Sequence, residues 1–231
     1  MEWLTKWLDR LYQTFIVGER YKTLIGGLEK TIIITVGALA IGVIIGTIIA
    51  IIKVFAMGNK KLKFLDMLCN LYLTVIRGTP VVVQLLISFF IIFVSAKDGT
   101  WVAVITFGIN SGAYVAEVIR SGIMSIDNGQ MEAGRSLGLT RAQTMKEIIL
   151  PQAFKNVLPA IGNEMIALLK ETSVAGYVAV QDLTKAANQI KNTTYDQINP
   201  ILLVALVYLL IVILLTKLLS IMERRLARSG R

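Results

Sequence analysis

Five polar residues inside otherwise apolar sequence are the groups best placed to handle a polar solute: Asn110, Ser111 and Tyr114 in one stretch, Asn163 and Glu164 in another. Asn110, Tyr114 and Glu117 recur at spacings of four and three, which a helix turns onto one face. An ionised side chain at the centre of a bilayer costs ~2.5–3.5 kcal/mol on insertion scales, so Glu164 is expected to face a bundle interior. The same groups also fit hydrogen bonds between helices, and at this level both uses stay open. Glu117 and Arg120, three residues apart, suit a helix-side ion pair or a gate element. Lys170 and Glu171 adjoin and cannot share a helical face, so they fit a structural or cavity-closing role better than solute contact.

A second constellation is polar and glycine-punctuated: Glu132-Ala133-Gly134, Gly138, Ile148 and Leu150-Pro151. Residues 130–137 read as helix, and Gly138 breaks it. Thr140 with Gln143 caps a second helix over 141–150, which Pro151 is expected to stop. Leu139, Met145, Ile149 and Leu150 supply an apolar side, while Arg141, Lys146 and Glu147 remain wet. Between two hydrophobic spans this is more than a connection needs, and it reads as a docking surface for a soluble partner rather than a solvated loop.

Several chemistries are excluded. Histidine is absent and Cys69 is the single cysteine, so the usual proton shuttle, a disulfide and a cysteine-histidine metal site have no material. Cys69 reads as a small packed hydrophobe. No nucleophile and base converge, and no Gly-rich phosphate loop ends in Gly-Lys-Ser or Gly-Lys-Thr. The chain is therefore expected to be neither an enzyme nor its own ATPase, with no cofactor or metal of its own.

The elements that must position these groups are membrane helices, since 55% of residues are hydrophobic and 17% charged, too apolar for a comfortable soluble domain. Residues 31–52 carry no charge, and at ~1.5 Å rise per residue they cross a ~30 Å hydrocarbon core. Residues 80–96, 101–116 and 200–215 are further uncharged stretches, and 157–180 is a fifth that contains Glu164, Lys170 and Glu171. Five spans is the reading, with four spans plus a buried or re-entrant segment as the competitor. Residues 64–76 start as an interfacial or tilted helix, and Arg77-Gly78-Thr79-Pro80 marks a bend before the crossing. Arg77 and Pro80 are thus structural or gating candidates. Gly42 and Gly46 form a small-residue spacing suited to close helix packing.

The net charge of +9 is distributed by topology rather than for nucleic acid. Lys53, Lys60, Lys61, Lys63 and Arg77 surround one loop. Arg120, Arg135, Arg141, Lys146 and Lys155 occupy another, and Lys217, Arg224, Arg225, Arg228 and Arg231 mark the tail. All three are cytoplasmic by the positive-inside bias, which puts the N-terminus outside and the C-terminus inside. The organisation expected is an N-terminal interfacial segment over 1–22, a transmembrane domain over 23–220 containing the cytoplasmic segment 130–151, and a basic tail over 221–231. Trp3, Leu4, Trp7, Leu8 and Leu11 give the first segment an apolar helical face. Five helices can hardly enclose a polar path, so a two-fold dimer is the simplest remedy.

The pattern Glu132-Ala133-Gly134, Gly138, Ile148-Ile149-Leu150-Pro151 resembles the coupling motif of ABC importer permeases, with Gly134 where many members have alanine. Leu28-Glu29-Lys30-Thr31, Ile76-Arg77-Gly78-Thr79-Pro80, the run from Ala113 through Glu117 to Arg120, and Gly162-Asn163-Glu164 with Lys170-Glu171-Thr172-Ser173 resemble the polar amino acid branch. Together they cover nearly the whole chain. The resemblance implies an all-α, type I importer permease in the bacterial cytoplasmic membrane. It implies as partners a second permease copy, two cytoplasmic ATPase subunits that bind ATP and Mg, and an external amino acid binding protein. It makes Glu132, Ala133, Gly134, Arg135, Gly138 and Leu139 ATPase-coupling residues. Glu164 would then meet a substrate ammonium, with Asn110, Ser111, Tyr114 and Asn163 along the path. A basic amino acid or glutamine fits equally. The competing class is a secondary transporter without an ATPase.

Overall fold

In lipid each backbone N–H and C=O must be satisfied within its own segment, which is why long runs of Ile, Leu, Val, Ala and Gly can only become helices here. The computed structural model describes residues 2–57 and 59–228, and no strand occurs among them. The helices are α1 (Glu2–Leu11), α2 (Tyr21–Ala56), α3 (Lys63–Gly78), α4 (Val81–Ile87), α5 (Gly99–Met124), α6 (Asn128–Ser136), α7 (Arg141–Thr144), α8 (Leu150–Glu171), α9 (Leu183–Thr194) and α10 (Asn199–Arg228). Arg231, counted above in the basic tail, lies outside the described residues.

Among the described residues α2, α5 and α10 are long and apolar enough to cross a membrane by themselves. The fourth candidate is bent: residues 60–78 and 81–92 meet at 103°. The bend falls at Thr79-Pro80, where α3 ends at Gly78 and Thr79 turns extended. Proline there removes a helical hydrogen bond and pushes the residue before it out of helical geometry. α8, which contains the expected fifth span, is not among the helices qualifying on length and composition, and it carries Pro159 internally.

Pro151 does not stop a helix. The chain runs from α7 through a π-turn, Met145–Ile149, straight into α8. Pro151 sits in the first turn of α8, just after that wider turn, where a missing N–H costs little. The capped helix α7 and the long helix α8 are thus continuous in the chain.

The chain forms two compact units. The first draws on Met1–Ala38, Val81–Phe107 and Ala167–Leu215. Its core includes Ile34, Leu85, Val102, Phe107, Leu168, Leu183 and Ile190, all buried. Its N-terminal helix α1 leaves Trp3, Leu4, Trp7 and Leu8 exposed. α1 and the turn after it are tied to the start of α10. The Thr14 hydroxyl donates to Asp196 Oδ2 at 2.9 Å, and Trp7 Nε1 donates to Asn199 Oδ1 at 3.3 Å. Asp196 also accepts from the N–H groups of Ile198 and Asn199 and from the Asn199 side chain. Burial opposes the charge on Asp196, but these bonds outweigh it and hold the carboxyl below its ordinary range. The turn before α5 uses the same device: the Thr100 hydroxyl and N–H lower the Asp98 carboxyl.

The second unit draws on Leu39–Pro80, Gly108–Ile166 and Thr216–Arg231. Its core joins Ile49, Cys69, Leu73, Ala113 and Ala116, so the lone cysteine packs as a hydrophobe. Gly46 lets α2 lie directly on α5 in this unit: a Cβ there would lie 2.7 Å from Val115 Cβ, closer than real atoms come. Gly42 meets Ser111 in the same way, at 2.8 Å. The small-residue spacing therefore serves packing within the chain. Tyr72 on α3 donates its hydroxyl to the Ile109 carbonyl of α5.

Candidate functional site

The second unit holds two polar cavities with a shared wall. One, of about 780 Å³, is lined by Lys53, Asp66, Asn70, Arg77, Glu117 and Arg120 among others. The other, of about 640 Å³, is lined by Arg77, Tyr114, Glu117, Ser121, Asn156 and Glu164 among others. Both volumes fall in the ~300–1,000 Å³ range of small-molecule sites.

Helical spacing explains the second lining. Tyr114, Glu117 and Ser121 follow one another at three or four residues on α5, with Ser125 in the turn just past its end, and Asn156, Ala160 and Glu164 at four on α8. Ser111, fully buried, donates its hydroxyl to Glu164 Oε1 at 2.9 Å. That bond ties the Glu164 carboxylate on α8 to α5 and so fixes its position in the cavity wall. Glu117 and Arg120 form the ion pair their spacing foreshadowed, with Arg120 Nε 3.1 Å from Oε2 and Nη2 2.5 Å from Oε1. Lys53 reaches Asp66 at 3.1 Å and Asn70 at 2.6 Å. Arg77 lies over the Tyr114 ring, 5.7 Å from its centroid.

Of the residues expected along a solute path, Tyr114 and Glu164 line one cavity and Ser111 braces it. Asn110 is buried at 4% exposure and Asn163 is exposed; neither is on the wall of that cavity. Arg77, read above as a bend or gate residue, lines both cavities. Asn156, Ser121 and Ser125 escaped the sequence reading, although their register with Glu164 and Tyr114 was available. Pro80 is exposed at the bend. Lys170 is exposed and Glu171 half-buried at the end of α8, in the first unit, with no ion pair of either within 4 Å among the described residues.

The glycine-punctuated segment folds as a helical knuckle in the second unit. Asp127 caps α6 through Gly129, and Thr140 and Gln143 form a reciprocal capping box on α7. Gly138 joins them at φ +87°, a left-handed conformation that L side chains rarely adopt. Gly134 is buried against α7, where a Cβ would lie 2.5 Å from Thr144 Cγ2. Glu132, Ala133 and Arg135 are exposed, and Leu139 is half-buried. Leu137 is 80% exposed at the tip, an apolar residue the sequence reading passed over.

Comparison with known proteins gives a consistent answer. Residues 42–228 match the family described as binding-protein-dependent transport system inner membrane component. The arginine transport system permease protein ArtQ of Bacillus subtilis is 37% identical over 203 residues, covering 87% of this chain and 90% of that protein. The L-cystine transport system permease protein TcyB of the same organism is 38% identical over 223 residues, covering 95% and 91%. A putative glutamine transport system permease protein GlnP of Rickettsia typhi is 38% identical over 205 residues, covering 87% and 92%. A solved amino acid ABC transporter crystallised with histidines superposes with a TM-score of 0.82 at 41% identity, covering 91% of this chain and 98% of that one. The inward-facing MetNI methionine ABC transporter, at 21% identity and a TM-score of 0.71, shares the fold. With a membrane-helical fold, polar cavities and full-length relatives in agreement, the chain belongs to the binding-protein-dependent transport system inner membrane components, as an amino acid ABC importer permease.

Proposed function

We propose that this permease passes a polar amino acid, basic or glutamine-like, through the cavity beside Glu164, powered by ATP and Mg bound on separate ATPase chains. The observation that carries the reading is the Ser111–Glu164 hydrogen bond in the wall of a cavity of amino acid scale. Glu164 receives the α-ammonium there, and Tyr114 offers a polar contact beside it. Asn110 and Asn163 keep a role in the path as second contacts. The Glu117–Arg120 pair acts as a gate that opens and recloses by exchanging partners, with Pro80 at the hinge of α3 and α4. Lys170 and Glu171 serve subunit packing or closure.

The working unit contains a second permease copy, two ATPase subunits and an external amino acid binding protein. α2, the bent α3–α4 pair, α5, α8 and α10 are counted as five spans. The first, N-terminal segment 1–22 lies in the outer interface, the transmembrane domain covers 23–220, and the basic tail 221–231 is cytoplasmic. Segment 130–151 seats in a cleft of the ATPase through Glu132, Ala133, Arg135 and the exposed Leu137, with Gly134, Gly138 and Leu139 shaping the knuckle. Because the knuckle is continuous with α8, which carries Glu164, closure of the ATPase dimer is transmitted along one helical path to the substrate cavity.

The test is uptake in proteoliposomes by a Glu164→Gln permease assembled with its partners. Uptake is expected to fall roughly tenfold or more, a charge-assisted contact being worth ~1.5–3 kcal/mol. Unchanged uptake of arginine, glutamine and cystine would remove Glu164 from the path.

A further inference from the structure

The smaller cavity carries charges of both signs, and one of its charges has no obvious task. Its wall includes two acids, Glu117 and Glu164, and a single cation, Arg77. Glu117 is occupied by Arg120 through two hydrogen bonds. Glu164 is braced by Ser111. Arg77 forms no salt bridge with any acid among the described residues, and its guanidinium rests on the Tyr114 ring. It sits near the end of α3, roughly 21 Å along the helix from Lys63 at ~1.5 Å per residue, immediately before the 103° bend. Glu117 feels its charge at longer range, but no acid holds it at ion-pair distance among the described residues, so its guanidinium lines the cavity where a solute anion can reach it.

We infer that Arg77 receives the α-carboxylate of the amino acid in transit, in the same cavity whose Glu164 receives its α-ammonium. The inference rests on the proposed role of Glu164. A guanidinium held on an aromatic face keeps its planar fork of N–H groups available, and that fork matches a carboxylate in bidentate fashion. Arg77 and Glu164 together read the part common to every amino acid. Side-chain selection is then left to other contacts.

The test is binding to the intact permease–ATPase complex in nanodiscs, without the external binding protein. The probes are radiolabelled L-arginine, L-glutamine and L-cystine, competed by argininamide, glutamine α-amide and cystine diamide, which lack the carboxylate charge. The unmutated complex is expected to bind an acid roughly tenfold or more tightly than its amide. Arg77→Gln is expected to bind acid and amide alike, Arg77→Lys to restore part of the preference, and Glu164→Gln to weaken both while keeping their ratio. An unmutated complex that does not prefer the acid overturns the proposal without any variant having to fold. So does an Arg77→Gln complex that retains the preference. Failure of all three amino acids to bind the unmutated complex would instead sink the substrate-cavity reading, and this inference with it.

Discussion

Asp182 and Asp196 in the first unit and Glu117 and Glu164 in the second are all acids of a membrane protein, yet they are spent differently. Asp182 is fully buried and Asp196 is 3% exposed. Their oxygens accept from the N–H groups at the starts of α9 and α10, and Asp196 also holds the N-terminal segment through Thr14. Glu117 and Glu164 are half-buried and stand mid-helix, beside open cavities. An acid beside a helix start has backbone donors aimed at it and becomes structure. An acid in the middle of a helix has none, because those donors already serve the helix. It must find side chains instead, as Glu117 finds Arg120 and Glu164 finds Ser111.

Substitutions can break this contrast at several strengths. The largest effect on stability is expected from Gly46→Leu, which drives a branched side chain into Val115 and the α5 backbone. Overpacking of ~3 kcal/mol or more should appear as loss of folded, monodisperse protein in detergent. Asp196→Ala is expected to cost ~2–3 kcal/mol, read as a lower thermal midpoint and as proteolytic release of the N-terminal segment. Glu117→Gln, by contrast, should leave that midpoint within ~1 kcal/mol while altering uptake, since a partly exposed pair contributes little.

Acid sharpens the same comparison. The folded-state carboxyl of Asp196 lies below its ordinary value. Its contribution is therefore fully present above the unfolded pKa of ~3.9 and is lost as pH falls through the folded value. Thr14→Val should shrink that acid-labile share in a pH series of thermal unfolding curves. An effect confined to one segment is expected at the knuckle: Gly134→Ala presses on Thr144 and costs ~1–3 kcal/mol locally. Thr144→Ala in the same chain should recover part of it, a non-additive pair measurable by protease sensitivity of segment 130–151.

The knuckle was legible in the sequence because its signals are local. Thr140 and Gln143 specify a cap three residues apart, and Gly138 supplies the left-handed turn. The bend at Arg77-Gly78-Thr79-Pro80 was legible for the same reason. Pro151 misled because a proline halts a helix interior but is tolerated in a first turn, and the preceding π-turn has no sequence signature. Tyr114 and Glu164 were found from depth and periodicity, while Asn156 and Ser125, on the same faces, were passed over because they lie nearer the charged segment. The tie between Thr14 and Asp196 joins residues far apart in the chain, and no local pattern announces it.

The central claim is that ATP hydrolysed on another chain drives an amino acid through this one by way of the knuckle. It is tested most directly by uptake of radiolabelled arginine, glutamine and cystine into proteoliposomes holding the permease, its ATPase and its binding protein. The account predicts uptake that requires ATP, persists without any ion gradient, and disappears when Glu132→Lys and Gly138→Val are combined. Uptake by the permease alone, driven by an ion gradient and indifferent to those two substitutions, would contradict it.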